Sequence, residues 1–397
     1  MPVPAANPRT SRPRPRTLRK RLYGWHSWAG FQLALLSFIV LLSGTLAVLG
    51  DEIDWLLDEN RRIEAFEGRP AWSAMYATVR DRYPGRPVQM LSLGELPTMA
   101  AQARIRLEDG RPRRLFLDPA SGAVLGEGHW LSVQRVLRDF HRYLFIIPSG
   151  LGLPLVTVVA LVLAVQLATG LVTVRKWGSG LVTLRANRGL RVFLGDLHRS
   201  TGLWSTWFTA LMVVTSLWYF AEWVIHSGGG RAAAPMAAVS APAGPAARLR
   251  PLGDYVAAAE RAYPGFEPRS ILFPDERRAQ LIITGRGGDW LVRDRAARVT
   301  VDARDARVLA VQQPGSLTTL EYLADLADPW HFGDVGGLAT KLLWFVFGLV
   351  LTGLSATGVW LTWRRTRAGP SRWHALSGGM LLVAAVFGTG YVTRYLG

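Results

Sequence analysis

The sequence predicts a mostly α-helical membrane protein with five transmembrane helices and an internally duplicated unit of helix, outer α+β domain and helix. Two observations lead to this fold class. Hydrophobic residues make up 49% of the 397 residues and charged residues only 19%, which is too apolar for an ordinary soluble enzyme. The apolar residues are gathered in five long runs, and the same order of features occurs twice along the chain.

Five predominantly apolar stretches are each long enough to span a bilayer, which takes roughly 20 helical residues. In chain order the predicted spans are residues 27–50, 143–174, 200–222, 338–363 and 373–393. The first is predicted to be a retained helix rather than a cleaved leader. Its apolar run is about twice the usual signal-peptide core, and no small-residue cleavage site precedes Asp51.

The distribution of basic residues predicts the orientation. Residues 1–26, 174–199 and 363–375 hold 7, 6 and 4 basic residues against a single acid, Asp196. Lys and Arg accumulate on the cytoplasmic side of membrane proteins, so the basic tail 1–26 and the loop 175–199 are predicted to be cytoplasmic. The tail is also placed to contact anionic membrane lipid. The remaining residues carry 29 bases and 28 acids, so the net charge reflects topology and does not indicate a nucleic-acid surface.

Residues 51–142 and 251–330 are then predicted to form two domains outside the membrane. In each, an amphipathic helix (72–83 and 255–263) ends at a Tyr-Pro-Gly turn. Alternating patterns predict strands at 103–107, 114–117, 280–284, 289–293 and 298–302. Trp72, Tyr76 and Trp290 are assigned to the domain cores, with contact to a docked substrate or partner as the alternative. Residues 228–250, rich in Gly, Ala and Pro, are predicted to be a flexible linker.

Four of the seven histidines recur at equivalent places in the two copies. His26 and His198 begin spans one and three on the cytoplasmic side, while His141 and His331 precede spans two and four on the outer side. Two imidazoles on facing helices are suitable axial ligands of a haem iron. Gly30 and Gly202, each one turn after a histidine, are expected to let a porphyrin lie against the backbone.

Other assignments remain open at this point. His374 begins span five on the inner side and His226 ends span three on the outer side, so either is a competing partner for one of the four histidines. A histidine at a helix end also commonly rests in the headgroup region without any ligand. His129 reads as an ordinary surface residue.

The absence of cysteine narrows the cofactor. With no Cys, the chain makes no covalent c-type haem attachment and no iron–sulfur cluster of the usual kind, so any haem is b-type. No dinucleotide fingerprint flanked by a strand and no phosphate-binding loop is present, and nicotinamide or ATP chemistry is unsupported. The sequence therefore predicts two bis-histidine haems b, with His26, His198, His141 and His331 as cofactor and metal ligands.

Three motifs point to a known family: Trp25-His26-Ser27-Trp28-Ala29-Gly30, Asp51-Glu52-Ile53-Asp54, and Leu115-Phe116-Leu117-Asp118-Pro119-Ala120-Ser121-Gly122. With them the chain resembles the PepSY-associated transmembrane family over about residues 20–370. The resemblance implies a multi-pass protein of the bacterial inner membrane with a cytoplasmic N-terminus and two periplasmic PepSY-like domains. Members similar to inner-membrane ferrisiderophore reductases hold haem through helix histidines, which match His26, His141, His198 and His331 here.

The resulting hypothesis is a haem-containing inner-membrane oxidoreductase of iron uptake, a ferrisiderophore reductase. Electrons from a quinol or a cytoplasmic reductase would pass the inner and then the outer haem to a periplasmic ferric siderophore or other ferric chelate, releasing ferrous iron. No acid–base or nucleophilic catalytic residue is required. Two alternative functions remain open. One is a non-enzymatic PepSY membrane protein that binds peptides or regulates a partner, and the other is an iron or siderophore permease component.

Overall fold

The computed structural model describes residues 17–146, 150–228, 249–275, 279–367 and 372–396. The basic tail as far as Arg16, and most of the predicted linker, lie outside the described residues. Within them the α-helices are α1 Leu18–Gln32, α2 Ala34–Val48, α3 Gly50–Leu57, α4 Trp72–Arg82, α5 Val133–Tyr143, α6 Gly152–Thr173, α7 Trp177–Val182, α8 Leu190–Trp204, α9 Thr206–Ser227, α10 Leu252–Ala262, α11 Thr319–Phe332, α12 Gly337–Thr366 and α13 Arg372–Leu396. The strands are β1 Val88–Ser92, β2 Ala101–Arg106, β3 Pro112–Leu117, β4 Val124–Gly128, β5 Glu267–Leu272, β6 Gln280–Arg286, β7 Ala297–Asp302 and β8 Val308–Gln312.

Four helical stretches in the described residues are long and apolar enough to cross a membrane: Gly152–Thr173, Thr206–Ser227, Asp334–Thr366 and His374–Tyr395. The helices α1 and α2 add a fifth if the pair crosses as one span, although they are bent by 70°. The bend lies at Leu33, where the backbone leaves helical geometry with φ −105° and ψ 20°. The apolar run in the sequence indicates where a span lies and how long it is. It does not reveal that the helix is interrupted at a single residue.

The second span begins later than predicted, at Gly152 rather than at residue 143, whereas the fourth begins close to the predicted residue 338. Leu144 and Phe145 adopt positive φ values of 49° and 58°, which end α5, and span two starts only at Gly152. Gly333, with φ 80°, ends α11 in the same way. His141 and His331 therefore lie on separate short helices and not at the ends of spans two and four. These two helices pack along α2 and α9 respectively.

The spans of one copy pack against spans of the other. The helix α2 of the first copy packs against α12 of the second, and α9 of the second packs against α6 of the first. Within each copy, α1 packs on α6 and α8 packs on α12. The duplicated units are thus interleaved in one helical bundle.

The strands form a single antiparallel sheet in the order β4-β3-β2-β1-β5-β6-β7-β8. Four strands come from each copy, and β1 joins β5 through the pairs Met90↔Leu272, Leu91↔Ile271 and Ser92↔Ser270. The prediction of two separate outer domains is wrong in this respect. Pairing the two inner strands removes an unpaired edge from each half, and such edges would otherwise expose backbone hydrogen-bonding groups.

One hydrophobic core serves both halves of this sheet domain. Buried residues of α4 and α10 cover the same face of the sheet, and Met75, Leu91, Tyr255 and Ile271 are all fully buried in one cluster. The two helices also contact each other directly, since Ser73 Oγ accepts a 2.9 Å hydrogen bond from Gly253 N. The two halves therefore share their core as well as their backbone hydrogen bonds.

Two local predictions in the sheet domain have different outcomes. Trp72 is buried and Tyr76 stacks on Phe273 with ring centroids 4.9 Å apart, so both lie in the core as expected. The segment 289–293, predicted as a strand, is a loop instead. The side chain of Asp289 accepts a 2.9 Å hydrogen bond from Leu291 N and closes a turn, a local interaction that competes with strand pairing.

The helix α13, which has no counterpart in the duplication, packs against α2. Ala384 joins Leu36 and Val40 in a buried cluster. The ring of Phe145 fills the space over Gly388, where an added Cβ would lie 2.8 Å from the ring. Tyr391 donates a hydrogen bond to Asp139 of α5. The added helix thus supports the first copy, including the helix that carries His141.

Candidate functional site

The structure brings four histidines together as two pairs. His26 on α1 and His198 on α8 have ring centroids 6.2 Å apart with planes at 82°. His141 on α5 and His331 on α11 have ring centroids 6.3 Å apart with planes at 30°. We call His26 and His198 the inner pair and His141 and His331 the outer pair; each contains one histidine from each copy.

His26 is held by the Thr-Gly sequence of α6. Its Nδ1 donates a 3.1 Å hydrogen bond to the carbonyl oxygen of Gln166 and lies 3.2 Å from Thr169 Oγ1. The ring edge faces Gly170, where an added Cβ would lie 3.4 Å from Cε1 of the imidazole. A larger residue than alanine at this position would push the ring away.

His198 is held in the same way by the equivalent sequence of α12. Its Nδ1 lies 2.9 Å from Thr357 Oγ1, and an added Cβ at Gly358 would lie 3.3 Å from Cε1. Thr169-Gly170 and Thr357-Gly358 are therefore two copies of one histidine-holding motif. Each stands on the second span of its copy.

The outer histidines are held by small hydroxyl residues of α2 and α9. His141 Nδ1 donates a 2.9 Å hydrogen bond to the carbonyl of Val40 and lies 3.4 Å from Ser43 Oγ. His331 Nδ1 lies 2.8 Å from Thr215 Oγ1. Ser43 and Thr215 are not among the residues predicted from the sequence, yet they are 172 residues apart, the same offset that separates His26 from His198. Aligning the two copies at that offset would have found them.

The hydrogen bonds define the tautomer of every ring. Carbonyl oxygens only accept, so His26 and His141 must donate from Nδ1. Thr357 Oγ1 already donates to the carbonyl of Gly353 at 2.7 Å, and Thr215 Oγ1 donates to that of Leu211 at 2.8 Å. These hydroxyls therefore accept from their histidines. In each ring the lone pair is left on Nε2, which makes no hydrogen bond in the described part of the chain.

This arrangement fits axial ligation of a haem iron. A metal bonds an imidazole nitrogen at about 2.0 Å and that nitrogen lies roughly 1.1 Å from the ring centre, so two rings on opposite sides of one metal have centres about 6.2 Å apart. Both observed separations match that value. Metal-bound histidines typically donate their other nitrogen to a carbonyl or a similar acceptor, as all four do here.

The donor set also favours a porphyrin-bound iron over a bare ion. Among the described residues, no group of three or more His, Cys, Asp or Glu side chains is placed to hold a metal. A structural zinc site takes four protein ligands and a catalytic one takes three. A haem iron needs only the two axial nitrogens that each pair supplies, because the porphyrin provides the other four.

The glycines selected from the sequence have other roles. A Cβ at Gly30 would clash with the side-chain amide of Gln166, so in the structure this glycine allows close packing of α1 on α6, and its contact with a porphyrin stays a prediction. Gly202 has only Leu354 nearby, 3.8 Å from an added Cβ. The glycines that contact the imidazoles of the inner pair are instead Gly170 and Gly358.

The competing histidines do not enter either pair. His374 on α13 makes an edge contact with Phe31 at 4.7 Å between centroids. His226 is exposed, and its Nδ1 bonds the carbonyl of Glu222 in its own helix at 2.7 Å. His129 is exposed in the sheet domain, as expected.

The two pairs lie at different depths along α12. Gly358 touches His198, whereas Gly348 lines the cavity that contains His331. These glycines are ten residues apart, which at 1.5 Å per residue corresponds to about 15 Å along the helix. The pairs are therefore arranged in sequence across the bundle, with the outer pair nearer the sheet domain.

A cavity of about 1090 Å³ extends from the outer pair to the sheet domain. It exceeds the 300–1,000 Å³ typical of small-molecule sites. Trp290 lines it on the sheet side and is 68% exposed, so its assignment to the domain core is wrong. The turn at Asp289 directs this part of the chain out of the sheet and toward the cavity.

The cavity wall near α3 is acidic, with one buried base. Lys341 of α12 pairs with Glu52 at 2.8 Å, and its side chain is only 9% exposed. Glu95 lines the same wall, with its side chain exposed. The Lys341–Glu52 pair fixes α3 to α12 and so closes this side of the cavity.

A chain of polar contacts links the Trp290 loop to the outer pair. Arg293 pairs with Asp325 at 3.1 Å and also with Asp328, both on α11. Tyr219 donates a 2.7 Å hydrogen bond to Asp328, and its ring lies edge-on to that of His331 at 5.2 Å between centroids. The loop that exposes Trp290 is thereby fixed to the helix that carries His331.

Comparison with known protein families matches residues 23–365 to the family described as the PepSY-associated TM region. The matched segment includes all four paired histidines and the whole sheet domain. A search of the curated proteins finds no match.

Proposed function

Because the chain belongs to the PepSY-associated transmembrane family and is a multi-pass membrane protein, we propose that it is a transmembrane ferric-chelate reductase. The single observation that carries the proposal is the geometry of the two histidine pairs. Their ring separations of 6.2 and 6.3 Å suit one haem b in each pair.

When bound, haem supplies one-electron transfer at near-constant coordination. The protein's own contribution is to hold each imidazole with Nε2 available, which the hydrogen bonds at Nδ1 achieve. Each pair is held by four helices of the bundle, two that carry the histidines and two that accept their hydrogen bonds. The succession of the pairs along α12 provides a route across the apolar layer, which is about 30 Å thick and too wide for one cofactor.

The substrate we propose is a ferric siderophore or a similar ferric chelate, reduced at the cavity that adjoins the outer pair. Each ferric ion takes one electron and becomes ferrous. A quinol donor gives two electrons and two protons and so reduces two ferric ions, while a cytoplasmic reductase would deliver the electrons singly. Ferrous iron binds hard oxygen donors more weakly than ferric iron does, so reduction promotes release.

The proposed location is the bacterial inner membrane, with the sheet domain in the periplasm. The basic residues that flank the opposite ends of the spans support this orientation. Electrons would therefore enter at His26 and His198 and leave near His141 and His331, where the substrate cavity lies.

The test is to purify the full chain in detergent from cells supplied with haem and to record oxidised and dithionite-reduced spectra. We expect a Soret band and sharp α and β bands typical of low-spin bis-histidine haem, with two haems per chain. His26→Ala and His331→Ala should each remove one haem, whereas His129→Ala should remove none. The reduced protein should then be reoxidised by a ferric hydroxamate chelate, with ferrous iron trapped as a coloured complex.

The rival functions predict different results. A PepSY protein that only binds peptides or restrains a partner would be colourless and indifferent to the histidine substitutions. A permease component would move a chelate across vesicles without changing the oxidation state of iron. A colourless preparation from haem-replete cells would remove the basis of the reductase proposal.

A further inference from the structure

Two arginines line the cavity beside the outer pair and have no carboxylate partner. Arg138 lies one turn before His141 on α5, and Arg142 directly follows it; both are half-buried. Within residues 17–146 and the other described ranges, no carboxylate oxygen lies within 4.0 Å of either guanidinium. Arg142 is placed over the ring of Tyr143 at 5.2 Å from its centroid.

The neighbouring arginines are all neutralised. Arg135, one turn before Arg138, pairs with Asp139 at 3.0 Å. Arg293 and Arg295, which also line the cavity, both pair with Asp325. Partial burial of a cation without a counter-ion is unfavourable. Two such cations next to the proposed cofactor site therefore indicate an anionic ligand that belongs there.

The duplication shows that only the first copy supplies these charges. Counting from the paired histidines, the position of Arg138 is occupied in α11 by Asp328, and that of Arg142 by Phe332. Asp328 is neutralised by Arg293 and Tyr219. The anion would therefore lie on the α5 side of the cavity and not on the α11 side.

We propose that Arg138 and Arg142 bind the propionate carboxylates of the haem held by His141 and His331, an assignment that rests on the proposed function. Guanidinium groups match carboxylates in a bidentate geometry and remain charged at all physiological pH values. The pair on α5 would then fix the orientation of the porphyrin about the axis through the two imidazoles and offset the propionate charge near the iron.

The experiment compares Arg138→Gln, Arg142→Gln and the double variant with wild type and with Arg191→Gln, which removes an exposed charge from the start of α8. Haem-depleted protein is reconstituted with haem and with haem dimethyl ester, whose carboxylates are blocked. Wild type and Arg191→Gln should bind the ester at the outer site at least tenfold more weakly than haem. The double variant should bind the two almost equally.

A second readout is the midpoint potential of the outer haem, measured by spectroelectrochemistry in the His26→Ala background so that only that haem contributes. Removing the arginines leaves propionate charge uncompensated and stabilises ferric iron, so the potential should fall. Each arginine variant is also made without the His26→Ala substitution. Retention of its inner haem then shows that the variant is folded.

The possible results distinguish a failure of the proposed function from a failure of the propionate assignment alone. If wild-type protein binds no haem, the proposed function fails and this assignment fails with it. If haem binds but the double variant keeps the wild-type ratio of haem to ester affinity, only the propionate assignment is wrong. If the substitutions alter haem affinity in bilayers with anionic lipid but not in neutral bilayers, the arginines bind lipid phosphate instead, which also overturns the assignment.

Discussion

The ring of His26 lies edge-on to that of His198, with the two planes 82° apart. In the outer pair, His141 and His331 differ by only 30°. Both pairs have the separation expected of axial ligands, yet their mutual orientations differ because the rings are held by different helices. This difference has a spectroscopic consequence if haem is bound.

We expect two distinct low-spin ferric signals in electron paramagnetic resonance. Near-parallel imidazole planes split the iron d orbitals that interact with the ligand π systems, whereas perpendicular planes leave them nearly equal in energy. The inner haem should therefore show the larger g anisotropy. His26→Ala should remove that signal alone and His331→Ala the other. One signal of doubled intensity would contradict the observed ring orientations.

Thr357→Val should weaken the inner site. The substitution keeps the shape of the side chain but removes the acceptor of the 2.9 Å hydrogen bond from His198 Nδ1. Loss of a hydrogen-bond partner of a metal-binding histidine costs about 10–100-fold in affinity. Haem should therefore transfer from the inner site to apomyoglobin about 10–100-fold faster than in wild type. Thr352→Val, on the same helix, is the matched control because its hydroxyl only bonds the carbonyl of Gly348. Equal rates for the two variants would argue against the ligand role of His198.

Gly388→Ala should disturb the outer site through α13. The new Cβ would lie 2.8 Å from the Phe145 ring, in the loop that follows the His141 helix. We expect partial loss of the outer haem with the inner haem unchanged, measured as the haem-to-protein ratio together with the two resonance signals. Gly390→Ala, where nothing lies within 4 Å of the added Cβ, should behave as wild type. Equal loss of both haems would indicate general misfolding instead.

Trp290→Ala should raise the KM for a ferric chelate while leaving both haem spectra unchanged. The indole is 68% exposed at the cavity and supplies apolar contact area to a docked ligand. Trp177→Ala, which removes a 51% exposed indole from α7 on the basic side, should leave KM unchanged. Steady-state reduction with a ferrous trap measures both. A change in the maximal rate alone would place Trp290 outside the docking site.

Leu91→Ala should destabilise both halves of the sheet domain together. Leu91 is fully buried and pairs with Ile271 across the junction of β1 and β5, and a buried Leu→Ala change costs about 2–5 kcal/mol. Hydrogen exchange of the full chain should show lower protection in β2–β3 and equally in β6–β7. Val124→Ala on the edge strand, where the side chain is 42% exposed, should affect neither. A loss confined to β2–β3 would mean that the halves unfold independently.

Much of the candidate site was predictable because the two copies carry the same residue types in the same order along the chain. The histidines and the Thr-Gly sequences that hold the inner pair recur in both copies. Ser43 and Thr215 follow the same rule, but a hydroxyl residue within an apolar run has no distinctive signal by itself. Arg138 and Arg142 were not predictable as site residues, since their significance depends on the absence of a nearby carboxylate among the described side chains.

The sequence by itself determined the membrane class, the approximate spans, the repeat and the residues that pair, because hydropathy and periodicity are local properties of the chain. Only the tertiary structure decided that the two outer halves form one sheet, that the outer histidines lie on separate helices, and that each ring donates from Nδ1. Those features depend on contacts between segments that are far apart in the sequence, such as Gly253 with Ser73, 180 residues apart. Strand pairing, helix breaks of one residue and hydrogen-bond direction leave no periodic trace in the sequence, so packing alone specifies them.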